Sequence, residues 1–205
     1  MDGLMRVHGP RRAGVTRRGA LAGAGALALA GCGGGAAPET FDLSPLSRAA
    51  RAGGLRGQLV VGEPVATAAL DSERMVVRPT PEEVAYLKGA QWSDRLPRLV
   101  QTRLVQSLEN ARLLKSVGRP GDRIAADYLL DSELRRFEID VQGGQAVVEI
   151  TVKLVIGSSG RIVAADVISA QAPGSASNGA AAQQGLDAAF AEALARIVAW
   201  VGRAI

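Results

Sequence analysis

The chain reads as an α+β protein: a two-layer sandwich with a mostly antiparallel sheet of four to five strands and two main helices on one face. Three observations predict this. Residues 148–156 alternate strictly, with Val148, Ile150, Val152, Leu154 and Ile156 apolar and Glu149, Thr151 and Lys153 between them. That is the pattern of a strand with one buried and one wet face. Two further stretches, about 93–114 and 181–204, repeat apolar residues every three or four positions, as a helix with one buried stripe does. An element with a single apolar face must bury it against another, and two such helices and one such sheet share a core.

The elements follow in order. Gln58 to Ala66 carries Leu59, Val60, Val61 and Val65 but is broken by Gly62 and Pro64. Pro64 has no N–H for a ladder, so this strand is an edge or ends there. Arg74 to Arg78 is a short strand stopped by Pro79 and Pro81. Glu82 to Lys88 reads as a short turn of helix. The first main helix spans about Ser93 to Leu114, with Ser93 or Asp94 as cap and Pro97 in the first turn, where a missing N–H does little harm. Its stripe is Leu96, Val100, Leu104, Leu108 and Ala111. Asp127 to Val141 begins with Tyr128, Leu130 and Leu134 in one phase and continues with Phe137, Ile139 and Val141 in the other. Arg135 and Arg136 sit at the change, which predicts a bulge there. Gly143-Gly144 and Ser158-Ser159-Gly160 turn the chain into two more strands, 148–156 and 162–169. After a loop from Pro173 to Gly179, the last helix presents Leu186, Phe190, Leu194, Ile197 and Val201.

The first 31 residues have a different character. Arg11, Arg12, Arg17 and Arg18 precede a short Ala-Leu-Gly run from Gly19 to Ala30, and Leu29-Ala30-Gly31-Cys32 ends it. A basic head, a short apolar core and small residues at the cut describe a secretory signal, and the run is too short to span a bilayer. A branched residue and two small ones before a cysteine form a lipobox, in which the thiolate of Cys32 takes up the diacylglycerol. Cys32 is the only cysteine. The expected organisation is a lipoprotein signal peptide at 1–31, the lipidated Cys32 with a flexible tether at 32–57, and a single α+β domain at 58–205. Several acyl chains on Cys32, palmitate among them, suffice for stable attachment. Thr16-Arg17-Arg18-Gly19-Ala20-Leu21 is similar to a twin-arginine export signal but lacks the bulky apolar residue two places after the second arginine, so general secretion stays open. Gly33 after the cysteine resembles the pattern of Gram-negative lipoproteins sent to the outer membrane, which implies an outer-membrane lipoprotein facing the periplasm.

Removing this leader changes what the composition allows. The precursor carries 24 Lys+Arg, 20 Asp+Glu and a formal charge of +4. The leader takes five arginines and one aspartate with it, so the mature chain has equal numbers of both signs, and a nucleic-acid-binding surface is not supported. His8, the only histidine, leaves as well. No Ser-His-Asp or Cys-His site can then be built, and the usual zinc and copper ligands are missing. No Asp-x-Asp-x-Asp-Gly calcium run exists, and Gly33-Gly34-Gly35 lacks the strand and Gly-Lys of a phosphate loop. The expectation is no enzyme, no cofactor and no metal. A hydrolase using carboxylates or a Ser-Lys pair remains as an alternative, and a stand-alone lipid- or small-ligand-binding lipoprotein as another.

Several runs carry a family resemblance: Glu63-Pro64-Val65-Ala66, Leu70 to Pro79, Glu83 to Leu87, Gln91-Trp92-Ser93-Asp94-Arg95-Leu96-Pro97, Leu104 to Asn110, and Arg136-Phe137-Glu138. Over most of residues 40–203 the chain resembles the ABC-type transport auxiliary lipoproteins, the paraquat-inducible intermembrane transport lipoprotein type. It departs from them in having Phe41-Asp42-Leu43 where a tyrosine is common. The resemblance implies a non-catalytic, periplasm-facing subunit of an ABC/MCE-type lipid transport system. Its implied partners are an MCE-domain protein and the ABC permease and ATPase, the membrane through the lipid, and further copies of itself in a ring. Candidate partner-binding residues are Arg74, Arg78, Tyr86, Trp92, Arg135 and Arg136. The arginines read equally as solvated strand-face charges, and Trp92 as a staple packing on the core at the start of the helix.

Overall fold

The computed structural model describes residues 37–47 and 57–205. The expected signal peptide, Cys32 and much of the tether lie outside the described residues. The elements are β1 (Glu39–Phe41), β2 (Gln58–Val61), β3 (Val65–Ala66), β4 (Arg74–Arg78), β5 (Ala85–Trp92), α1 (Leu96–Ala111), β6 (Ser116–Gly118), β7 (Tyr128–Asp140), β8 (Gln145–Ile156), β9 (Ile162–Pro173) and α2 (Gly179–Ala204).

β7 organises the sheet. On one edge it pairs antiparallel with β8 along its whole length, and β8 pairs antiparallel with β9. On the other edge it takes β2, β3 and β4 in succession, all parallel, with Leu59 beside Tyr128, Val65 beside Glu133 and Val76 beside Glu138. Residues 58–78 thus form one interrupted strand. The first break is at Gly62 to Pro64, where proline cannot donate. The second is a loop in which the Leu70 and Asp71 amides both donate to the Thr67 carbonyl. β5 pairs antiparallel with β4, β1 parallel with β5, and β6 parallel with β2.

This corrects the expected fold class. Instead of four to five mostly antiparallel strands, the described residues form a nine-stranded mixed sheet with five parallel pairings. Alternation along a strand reports which face is buried, not the direction of its neighbour. β1 and β6 have three residues each, too few to show any period. The helical turn expected at 82–88 is also wrong, because β5 begins at Ala85. Val76 and Val77 of β4 pair with Tyr86 and Ala85, and this ladder overrides the local helical pattern. β1 lies inside the segment expected to be a flexible tether and is a sheet strand.

Other expectations stand close to the structure. The register between β7 and β8 shifts between Leu134 and Arg136, at the two arginines that mark the phase change. α1 starts at Leu96 with Pro97 in its first turn, but neither Ser93 nor Asp94 caps it: the cap position is Arg95, without a side-chain hydrogen bond. It stops at Arg112, which adopts left-handed geometry (φ 51°). In α2, Asn178 accepts from the Ala181 amide at 2.8 Å, a side-chain cap that satisfies one of the orphan donors.

Both stripes are spent on the core. Leu104 and Leu108 of α1, and Leu186, Phe190, Leu194 and Ile197 of α2, are fully buried, together with Ile139 of β7 and Val148, Ile150, Val152 and Leu154 of β8. Phe137 stands between Trp92 and Phe190, edge-on to both, with centroids 5.8 and 5.6 Å away. Such edge contacts add about 0.5–1.5 kcal/mol each beyond area burial. Residues after β1 strap the two helices together. Asp42 and Ser44 hydrogen-bond to Gln183 and Asp187 of α2, and Leu46 bonds to Ser107 and Asn110 of α1.

Candidate partner-binding surface

The sequence-predicted residues divide into three fates. Trp92, the last residue of β5, is 1% exposed and packs on Phe137. It is a core residue at the end of β5, four positions before α1 begins, and offers no surface for a partner.

Arg78 and Arg136 are not free strand-face charges, and the reason is Glu138. Glu138 alternates outward from the helix-covered face, yet only 2% of it is exposed. β4 lies beside β7 there and brings Arg78 over it. The Arg78 Nε donates to Glu138 Oε1 at 2.8 Å and its Nη2 to Oε2 at 3.0 Å. The Arg136 Nε donates to Oε1 at 2.8 Å. A further Arg78 N–H donates to the Pro81 carbonyl. Burial pushes the Glu138 carboxyl up, but the hydrogen bonds and charges of the two guanidiniums outweigh it and hold the group below the usual carboxylate range. The same hydrogen bond holds Arg78 above its usual range, against the opposing effect of burial. This bidentate clip ties β4 to β7. It sits in an open cleft also lined by Asp140, Gln142 and Gly143. The sequence reading missed Glu138 as a member of this group, although Arg136-Phe137-Glu138 stood out as a run.

Arg74, Tyr86 and Arg135 remain at the surface. Arg74 and Tyr86 face each other across β4 and β5, with the guanidinium carbon 3.6 Å from the ring centroid, a cation–π stack. Arg135, in the bulge, pairs with Glu149 at 3.2 Å and is half exposed. Beyond the break at Pro64, Val65 is the most exposed large apolar residue described, at 69%. It borders an open cleft of about 530 Å³ that Glu63, Asp131, Glu133 and Lys153 rim. Arg95 closes the nearby corner by pairing with Glu63 at 3.2 Å and with Asp71. The Asp71 hydrogen bond holds Arg95 above its usual range.

Guanidiniums, a stacked phenol and carboxylates offer planar, charge-assisted contacts. Among the described residues no three His, Cys, Asp or Glu side chains are placed to hold a metal ion, and no helix is long and apolar enough to cross a membrane.

The family described as ABC-type transport auxiliary lipoprotein component matches residues 41–198. Uncharacterized protein bll6063 of Bradyrhizobium diazoefficiens is 32% identical over 177 residues, which cover 84% of this chain and 48% of that protein. The chain thus spans about half the length of that curated relative. Among solved structures, protein XCC0632 from Xanthomonas campestris, of the DUF330 family, has a TM-score of 0.67 at 28% identity, covering 82% of this chain and 94% of its own. The crystal structure of another uncharacterized protein gives 0.61 at 14% identity, with 82% and 97% covered, a likeness of fold alone. A match over residues 41–198 takes in most of the chain, with β2 to β9, α1 and all but the last turns of α2: the chain belongs to the ABC-type transport auxiliary lipoprotein component family.

Proposed function

We propose that the protein is a non-catalytic lipoprotein subunit of an ABC/MCE-type system that moves lipid between the inner and outer membranes. It faces the periplasm and is anchored to the outer membrane through acylated Cys32. Its partners are an MCE-domain protein and the permease and ATPase of the same system, and it self-associates. The family is one of transport auxiliary components, not of enzymes.

The observation that carries this reading is how the apolar stripes are used. A lone lipid carrier needs an enclosed apolar cavity. Here the stripes of α1 and α2 are buried against the sheet, and the clefts on the described surface are open and rimmed by charged residues. That arrangement favours contact with proteins over enclosure of an acyl chain. Affinity purification of the tagged full chain from native envelopes, with mass spectrometry of the co-purified proteins, tests the reading. An MCE-domain protein with ABC subunits is the expected result. Recovery of the protein alone with bound lipid would support a stand-alone lipid binder instead.

A further inference from the structure

The sheet carries unlike charge at its two ends. Along β8, of twelve residues, those ends stand roughly 40 Å apart. At one end β4 and β7 finish and β5 begins. Val84 comes just before β5 and Val141 just after β7. The Val141 N–H donates to the Arg78 carbonyl, so the two valines flank the end of β4. They are 44% and 47% exposed. Glu82 and Glu83 beside Val84 are exposed too. Around this end Glu39, Glu82, Glu83, Glu138 and Asp140 outnumber Arg78, Arg136 and Lys88, and Glu138 already takes up both arginines. At the opposite end the Lys115 N–H donates to the Gly57 carbonyl, the Asp127 N–H to the Gln58 carbonyl and the Gly157 N–H to the Asp127 carbonyl. This row draws together the segment after α1, the starts of β2 and β7 and the turn from β8 to β9. Arg112, Lys115, Arg123 and Arg161 are exposed here, and among the described residues none of them is in an ion pair. Asp122 and Asp127 accept from the Arg119 and Gln58 amides, and with Glu109 they are outnumbered by the cations. Ile162 and Val163, which open β9 at this end, are 53% and 38% exposed.

We propose that copies of the chain associate head to tail, with the Glu82–Val84 end of one against the Lys115, Arg123 and Ile162 end of the next. A two-fold contact through either end would set like charges against each other, because an isologous interface uses the same patch twice. Acidic end against basic end matches them. Four of the six exposed large apolar residues described lie at these two ends, so the contact covers aliphatic surface as well as pairing charge. The charges steer the encounter and fix its orientation. An acidic partner of another kind could meet the basic end, but it would leave the acidic end and its valines bare. A second copy answers both ends at once, which favours it as the occupant. The contact is heterologous: repeated with a constant turn at each step it closes into a ring, and without closure it runs on as a filament. It gives a surface to the self-association included in the proposed function and rests on that part alone.

The test is sedimentation of the full chain in detergent. The parent should run as an oligomer at low salt and shift towards monomer at about 1 M salt, where exposed charges are screened beyond roughly 3 Å. Glu82→Lys with Glu83→Lys makes both ends basic, and Lys115→Glu with Arg123→Glu makes both acidic. Each of these variants alone should be monomeric. An equimolar mixture of the two should regain oligomer mass, because the unaltered acidic end of one meets the unaltered basic end of the other. Exposed charges contribute little to stability, so thermal midpoints should stay near the parent's; if a reversal lowers them, Glu82→Gln with Glu83→Gln removes the charge more gently and should still weaken assembly. A parent oligomer that both reversed variants keep overturns the head-to-tail contact and leaves self-association standing. A monomeric parent overturns both. Loss of assembly in only one variant indicates a two-fold contact and overturns the proposal, and so does a mixture that stays monomeric.

Discussion

Arg78→Ala should destabilise the fold more than any other single removal of a surface arginine. Glu138 is 2% exposed, and its Oε2 accepts from Arg78 only, while Oε1 also accepts from Arg136. Removing Arg78 therefore strips one carboxylate oxygen completely and leaves the other with Arg136. Breaking a buried ion pair by deleting one partner costs about 3–5 kcal/mol. The retained Arg136 contact and the partial exposure of Arg78 reduce this to about 2–3 kcal/mol. For a domain of this size that is a fall in Tm of roughly 4–12 °C. Arg136→Ala leaves both oxygens bonded by Arg78 and removes a more exposed group, so its cost should stay near about 1 kcal/mol. The sign with pH follows from Glu138. Its folded carboxyl lies below its ordinary value, so its contribution is complete above the unfolded-state value of about 4.3. That contribution is lost as pH falls through the folded value. The gap between parent and Arg78→Ala should therefore narrow on acidification. Thermal melts of both variants at neutral and acid pH measure this. Equal midpoints for parent and Arg78→Ala at neutral pH, or a larger loss for Arg136→Ala, would mean that Arg78 is not the main counterion of Glu138.

Three other outcomes are expected. Leu104→Ala and Phe190→Ala, both at fully buried positions, should each cost about 2–5 kcal/mol; urea midpoints unchanged for both would mean that these stripes do not form the core. Arg74→Glu should change stability by no more than about 1 kcal/mol yet weaken capture of the cognate MCE protein in a pull-down, and undiminished capture would remove the Arg74–Tyr86 surface from the interface. Cys32→Ser should abolish palmitate labelling and leave the protein off the membrane or uncleaved, a result checked by metabolic labelling and fractionation.

What the sequence disclosed follows a physical division. Period and polarity are local properties, so β8, the stripes of both helices and the bulge at Arg135–Arg136 could be read directly. Pairing partners are not local. Nothing in Arg74 to Arg78 says that it lies parallel to β7, and that placement turns Arg78 from a solvated charge into the counterion of a buried Glu138. Glu138 shows no apolar signature of its own; it is buried by what lies over it. Arg74 and Tyr86 were singled out separately, and the β4–β5 pairing that stacks them was hidden by the helix expected at 82–88. The same limit explains β1 and β6. Three residues beside an existing strand can join a sheet that already supplies the donors and acceptors, without any period of their own. β9 was readable as a strand, but not that β8 is its one strand neighbour among the described residues, because that depends on what lies beside it.

Membership of a lipid transport machine, as proposed, can be read from binding of the purified lipidated chain, in detergent, to the periplasmic part of the cognate MCE-domain protein, followed by light scattering. A saturable complex of defined mass, weakened by Arg74→Glu, is expected. A protein that stays unbound at all concentrations, and carries stoichiometric lipid of its own, would contradict it.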